Sequence, residues 1–152
     1  MRTHLSRHPA TLQVVEVEQP VRAYDKPLGF WWEVDGDWRR WCAEESYITH
    51  GYLFAVDLGR TEVLRVCDAS GLDSFAEAYR DPVSNWIEWH RVARDWDGVE
   101  IAPYLRERRM AGHASWYYTW DCASGVVWRP RGVALEYLGP WWAEAEQMEG
   151  TR

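Results

Sequence analysis

The sequence predicts an α+β fold in a single domain. Helical and strand-like segments are mixed along the chain without the regular βαβ alternation of a doubly wound sheet. Its 152 residues suit one ordinary domain, which buries roughly two thirds of its unfolded surface and needs no disulfide to hold a core. The third observation is aromatic. Twelve tryptophans each supply a large apolar area and one N–H that needs a partner. They come in groups: Trp31-Trp32, Trp38 with Trp41, Trp86 with Trp89, Trp116 with Trp120, and Trp141-Trp142. Most are expected in the core.

Residues 12–18 (Leu-Gln-Val-Val-Glu-Val-Glu) read as a strand that Pro20 ends. Residues 25–29 are a turn by their Pro and Gly, and 29–34 are a second strand. Neighbours on a strand face opposite sides, so one of Trp31 and Trp32 faces away from the core and offers a stacking surface. Asp35-Gly36-Asp37 turns the chain and can cap a helix over 37–46, where Trp38, Trp41 and Cys42 share a face. Residues 52–58 and 62–67 are strands joined by Gly59-Arg60-Thr61. Helices follow over 71–80, around Leu72, Phe75, Ala76 and Tyr79, and over 87–96, with Trp89, Val92, Ala93 and Trp96 at helical spacing. Asp97-Gly98 breaks the second helix, and 99–101 is a short strand. Residues 102–114 are irregular and Arg-rich, the kind of long loop that often carries function. Segments 116–120 and 126–128 read as strands flanking Asp121-Cys122-Ala123-Ser124-Gly125, and 133–138 as the last strand. The domain is taken as 1–143, with an acidic tail over 144–152.

Several function classes are excluded or disfavoured. The three cysteines, Cys42, Cys67 and Cys122, form no Cys-x-x-Cys pair, which argues against a secreted disulfide framework and against tetrahedral zinc. No secretory leader and no run of about 18 apolar residues is visible, so a soluble, cytoplasmic protein without membrane contact is expected. The formal charge of −7 does not suit a general nucleic-acid coat. A nucleic-acid substrate would need a local basic patch such as Arg106, Arg108 and Arg109. Phosphate-loop, dinucleotide-loop and serine-hydrolase motifs are missing. His50, His90 and His113 are scattered, and no metal is expected.

The order of several short motifs resembles the ADP-ribosyltransferase fold family. Thr3-His4-Leu5-Ser6 looks like its first strand motif in the histidine version, and Lys26-Pro27-Leu28-Gly29-Phe30-Trp31-Trp32-Glu33 like its second. Tyr52-Leu53-Phe54-Ala55-Val56 looks like the strand that follows. Trp96-Asp97-Gly98-Val99-Glu100 is similar to a Tyr-Asp-Gly-Val element, and 121–128 to a late acidic strand. The resemblance spans most of residues 3–135 and rests on order and spacing. It implies split mixed or antiparallel sheets with a few flanking helices, and transfer of ADP-ribose from NAD to a protein or nucleic-acid acceptor. Three positions depart from the pattern. Leu5 stands where Tyr is common, Glu33 where a small hydroxyl residue is common, and Ser124 where the catalytic Glu falls.

That chemistry needs a group to hold the ribose, a flat surface for nicotinamide and a carboxylate beside an oxocarbenium-like centre. The resemblance assigns His4 to the ribose, with one donor and one acceptor on a neutral ring. Ser6, Lys26, Gly29, Trp31, Trp32 and Tyr52 are the other NAD-binding candidates. Asp121 is the first choice for the acid and Glu100 the second. Arg106, Arg108 and Arg109 would meet the acceptor. The Trp31-Trp32 pair and the 116–120 run are expected to wall one cleft with Asp121 at its edge. A toxin or phage-type effector fits this profile. Two alternatives stand beside it: a non-enzymatic, Trp-rich interaction module of the same fold, and an enzyme that removes an RNA 2′-phosphate.

Overall fold

A computed structural model describes residues 1–9, 12–21 and 26–143. The tail over 144–152 and the start of the 25–29 turn lie outside the described residues. The chain order is β1 (Arg2–Ser6), β2 (Phe30–Val34), α1 (Asp37–Glu44), β3 (His50–Asp57), β4 (Val63–Val66), α2 (Ala69–Tyr79), α3 (Trp89–Asp95), β5 (Gly98–Ile101), α4 (Arg106–Arg109), a kinked 3₁₀ segment (Gly112–Thr119), β6 (Ser124–Val127) and β7 (Ala134–Trp142). The α+β class therefore holds. The strands form one seven-stranded mixed sheet in the order β4-β5-β6-β2-β1-β3-β7, where split sheets were expected. Among the described residues only β4 and β5 run parallel.

The sheet is nevertheless weakest at its middle. The β1–β2 ladder has two pairs, Arg2 with Val34 and Thr3 with Glu33. Beyond Thr3 the two strands part: β1 continues along β3 as far as Ser6, and β2 continues along β6 from Glu33 back to Phe30. The His4 ring fills the gap, its Nδ1–H donating to the Trp31 carbonyl at 2.7 Å.

Alternation along the strands puts apolar clusters on both faces of the sheet. On one face Val66, Val99, Ile101 and Val126 meet Leu72 and Phe75 of α2, Trp89 and Val92 of α3, and Trp116, Tyr117 and Trp120. On the same face, α1 packs separately through Cys42, Trp38 and Trp41 against Leu5, Leu53 and Trp141. The opposite face holds Trp32, Val56, Leu58 and Val127. Two bodies thus sit side by side on one face, and the trough between them lies over the gap in the sheet.

The opposite face carries a polar lattice. Arg2 reaches from β1 to Glu100 on β5 with Nε–Oε2 at 2.5 Å and Nη2–Oε1 at 2.9 Å. Trp32 Nε1–H donates to the same carboxylate at 2.8 Å. The indole lies over Gly125, where an added Cβ would come within 2.3 Å of the ring. A glycine is required there by close approach.

Two expected strands are not formed. Residues 12–20 run as irregular chain over the sheet. Val17 N–H reaches the Trp128 carbonyl, but Gln19 ties the segment by its side chain, accepting from Leu28 N–H and donating to Leu28 O. Side-chain bonds have replaced a ladder. Residues 116–119 are 3₁₀-helical and Trp120 is their C-cap. Trp116, Tyr117 and Trp120 are buried while Tyr118 is 55% exposed. That is a helical spacing, whereas a strand would have put Tyr118 on the side of Trp116 and Trp120. Asp97, at the break before β5, holds Arg129 at 2.9 Å and Arg131 at 2.6 Å. Burial pushes its carboxyl up, and the Arg131 bond, the Glu62 N–H and Arg129 together outweigh that and hold it below the usual carboxylate range.

Candidate functional site

The trough contains a cavity of about 240 Å³ lined by His4, Leu5, Lys26, Trp31, Trp32, Glu33, Trp38, Asp121, Cys122 and Ser124. Each wall comes from a different element. Trp31 projects from β2 on the trough side because Trp32 takes the other face, and Trp120 backs it with ring centroids 4.9 Å apart. Trp38 is supplied by the first turn of α1 and is stacked on Trp41 at 4.9 Å and 10°. A flat group entering the trough therefore meets indole rings from two elements.

His4 is held by its bond to Trp31 O and by contact with Phe30, ring centroids 4.5 Å apart. A ring whose Nδ1–H donates to a carbonyl presents Nε2 as an acceptor, fit for a hydroxyl. Burial lowers its pKa below the ordinary 6.5, against the Trp31 carbonyl bond and Glu33, which raise it. The ring is thus neutral at pH 7. Below 6.5 the unfolded chain binds a proton that the folded ring refuses, so stability falls as pH drops from there towards the lowered folded value. Replacing His4 with Gln should flatten that part of the profile, read by urea unfolding at about pH 7.5 and pH 5.5. An unchanged slope would remove His4 as its source.

Asp121 lies in the bend before β6. Its carboxylate is 3.3 Å from Lys26 Nζ and 3.6 Å from Arg109 Nη2. Lys26 also lies 5.6 Å over the Trp31 ring, and the Arg109 guanidinium 4.9 Å over Tyr118. Two cations thus share one quarter-exposed carboxylate at the cavity mouth. Ser124, the first residue of β6, donates its hydroxyl to Cys122 O at 3.1 Å. The Cys122 thiol is pushed up to about 12, chiefly by burial, and is no nucleophile at neutral pH.

Glu33 is saturated. It accepts from Thr3 Oγ1 at 2.6 Å, from Arg39 N–H at 2.9 Å and from Arg39 Nε at 2.5 Å. It shapes the cavity floor and is committed to structure.

The structure gathers His4, Lys26, Trp31, Trp32 and Asp121 from positions far apart in sequence. Others are elsewhere. Glu100 is locked to Arg2 and Trp32 on the opposite face, so it is a structural carboxylate. Ser6 exchanges bonds with His8, its hydroxyl donating to His8 O and accepting from His8 N–H. Gly29 serves strand packing, since an added Cβ would lie 2.3 Å from the Val127 carbonyl. Tyr52 sits on β3, beyond β1, and does not line the cavity. Arg108 is paired with Asp73 at 2.8 Å, whereas Arg106 lines a neighbouring cleft. Trp116 and Trp120 are core, not walls. Trp38 was missed as a wall. Its helical spacing with Trp41 and Cys42 reads as core, and only the position of α1 beside the gap makes it a lining residue.

No protein-family model, no curated protein and no solved structure matches the chain. Its chemistry rests on this geometry.

A wider, polar cleft of about 590 Å³ adjoins the first, lined by Asp35, Asp37, Arg40, Trp41, Glu44, Tyr104, Arg106 and Asp121 among others. Among the described residues Asp121 is the one that lines both. Among the described residues no group of three or more His, Cys, Asp or Glu could hold a metal ion, and no helix is long and apolar enough to cross a membrane.

Proposed function

We propose that the protein is an NAD-dependent ADP-ribosyltransferase whose site is this trough. The observation that carries the reading is the convergence of His4, Lys26, Trp31 and Asp121 on one cavity. His4, Lys26 and Trp31 are NAD-binding candidates from the sequence, and Asp121 is its first choice for the acid.

Engineered apolar cavities of about 150 Å³ accept benzene, so about 240 Å³ suits a nicotinamide ring with part of its ribose. The adenosine half would lie outside it. Trp31 and Trp38 would offer indole surface to nicotinamide, His4 Nε2 would accept from a ribose hydroxyl, and Lys26 and Arg109 would meet the pyrophosphate. Asp121 would stabilise the positive charge that develops at the anomeric carbon as the glycosidic C–N bond lengthens. This places the acid three residues before Ser124, where the family's Glu falls. The bend ahead of β6 would bring the carboxylate to the cavity in place of a strand residue.

NAD should quench tryptophan fluorescence saturably, and Trp31→Ala should abolish that quench or weaken it by about tenfold, the loss of a stacked ring of roughly 1–1.5 kcal/mol. Absence of a quench in the wild type, together with no nicotinamide release, would sink the reading.

A further inference from the structure

We infer that Lys26 and Arg109 make cleavage conditional on the pyrophosphate of the substrate: they pair with Asp121 in the free protein, and the pyrophosphate draws them off it. The inference rests on the transferase reading and adds to it a control on the acid.

The pairs on Asp121 are loose. Its carboxylate lies 3.3 Å from Lys26 Nζ and 3.6 Å from Arg109 Nη2, against about 2.7–2.9 Å for a close charge-assisted bond. Arg108, one position earlier, makes the close form with Asp73, at 3.0 Å from Nε and 2.8 Å from Nη2. That pair fixes α4 to α2 and leaves the Arg109 side chain as the part that can swing. Arg109 Nε–H is buried without a hydrogen-bond partner among the described residues. Such a donor is costly, and an anion that met both Nε and Nη2 would supply what the Asp121 pair lacks. Lys26 and Arg109 each also lie over a ring, Trp31 and Tyr118, so neither depends on Asp121 alone for its place.

Charge sets the direction. A pyrophosphate diester carries two negative charges and Asp121 one. The diester therefore matches the two cations, and Asp121 is left unpaired beside the ribose. A carboxylate shared by two cations stabilises a third positive centre weakly; one released from them acts on the anomeric carbon at full charge. With water as the acceptor the bonds balance. The C–N bond from the anomeric carbon breaks, its electron pair leaves with the ring, and nicotinamide departs neutral. Water forms the new C–O bond, and its proton passes to the Asp121 carboxylate and then to solvent.

The test compares NAD with nicotinamide riboside, which keeps the scissile bond and lacks the pyrophosphate. Nicotinamide release by the full chain is measured at constant ionic strength. Lys26→Met and Arg109→Met should each lower kcat/KM for NAD by about tenfold, the loss of one charge-assisted bond to phosphate. Each should raise kcat/KM for the riboside by about two- to fivefold, the scale of an exposed ion pair. Cations that only bind pyrophosphate would leave the riboside rate unchanged. Inorganic pyrophosphate should activate riboside cleavage saturably in the wild type, a measurement that needs no variant. Riboside cleavage that neither variant raises, or that pyrophosphate does not raise, would overturn the inference, and cleavage of NAD in the same samples would leave the transferase site standing. No nicotinamide release from either compound would overturn both.

Discussion

Asp121→Asn is expected to lower nicotinamide release by about 10²–10³-fold, the range seen when one preorganised charge-stabilising group is removed. The substitution keeps the shape of the side chain and deletes its charge. Lys26 and Arg109 then lose their shared counter-ion and have more capacity for an incoming pyrophosphate. The loss should therefore appear in kcat, with the KM for NAD unchanged or lower. Circular dichroism and urea unfolding should show little change, because the carboxylate is a quarter exposed and makes no buried network. Glu100→Gln should behave in the opposite sense, costing stability while leaving NAD binding in place. A kcat for Asp121→Asn within about fivefold of wild type would rule it out as the acid. A collapse of activity in Glu100→Gln at full folding would return that role to Glu100.

Gly125→Ala is expected to cost about 3–5 kcal/mol of stability. Overpacking alone costs about 1–3 kcal/mol. Here the atom displaced is part of the Trp32 indole, 2.3 Å from the new Cβ, and that indole donates to Glu100. Moving it leaves a buried carboxylate short of one donor and shifts the Arg2 pair that crosses four strands. Breaking such a buried pair is itself worth about 3–5 kcal/mol, and the two costs overlap. Gly112→Ala, where a Cβ meets nothing within 4 Å, is the matched control. Urea unfolding of both variants decides the matter. A loss below about 1 kcal/mol in Gly125→Ala would mean that the lattice can shift at little cost.

Helices over α1, α2 and α3 were legible because their apolar spacing is local and helical. The β3, β4 and β5 strands were legible from apolar runs bounded by turn residues. Residues 12–18 and 116–120 were misread for one reason. A short apolar run carries no unique period, and neighbours outside the run chose its conformation. For 12–20 the deciding contact was Gln19 on Leu28; for 116–120 it was burial of three rings on one side of a helical turn.

The candidate site was partly legible. Sequence reasoning named His4, Lys26, Trp31 and Asp121, and these line one cavity. It also named Glu100, Ser6, Gly29 and Tyr52, which serve the fold or lie away from the cavity. Residue type cannot separate a catalytic carboxylate from a buried structural one. Their difference lies in burial and in how closely donors hold the oxygens: Glu100 is buried with donors at 2.5–2.9 Å, Asp121 is a quarter exposed with cations at 3.3 and 3.6 Å, and Arg2 lies 98 positions from Glu100.

By itself the sequence determined the α+β class, most of the elements and the need to bury a large aromatic load, because each depends on local spacing and composition. The tertiary structure alone decided that the sheet parts between β1 and β2 with His4 in the gap. It alone set α1 and the α2–α3 body apart on one face, which turned Trp38 from a core candidate into a cavity wall facing the trough with Trp31. It also put Asp121, rather than Glu100, at the meeting of two clefts. Each of these follows from which strand pairs with which and how far, a property of long-range contacts that no window of sequence contains.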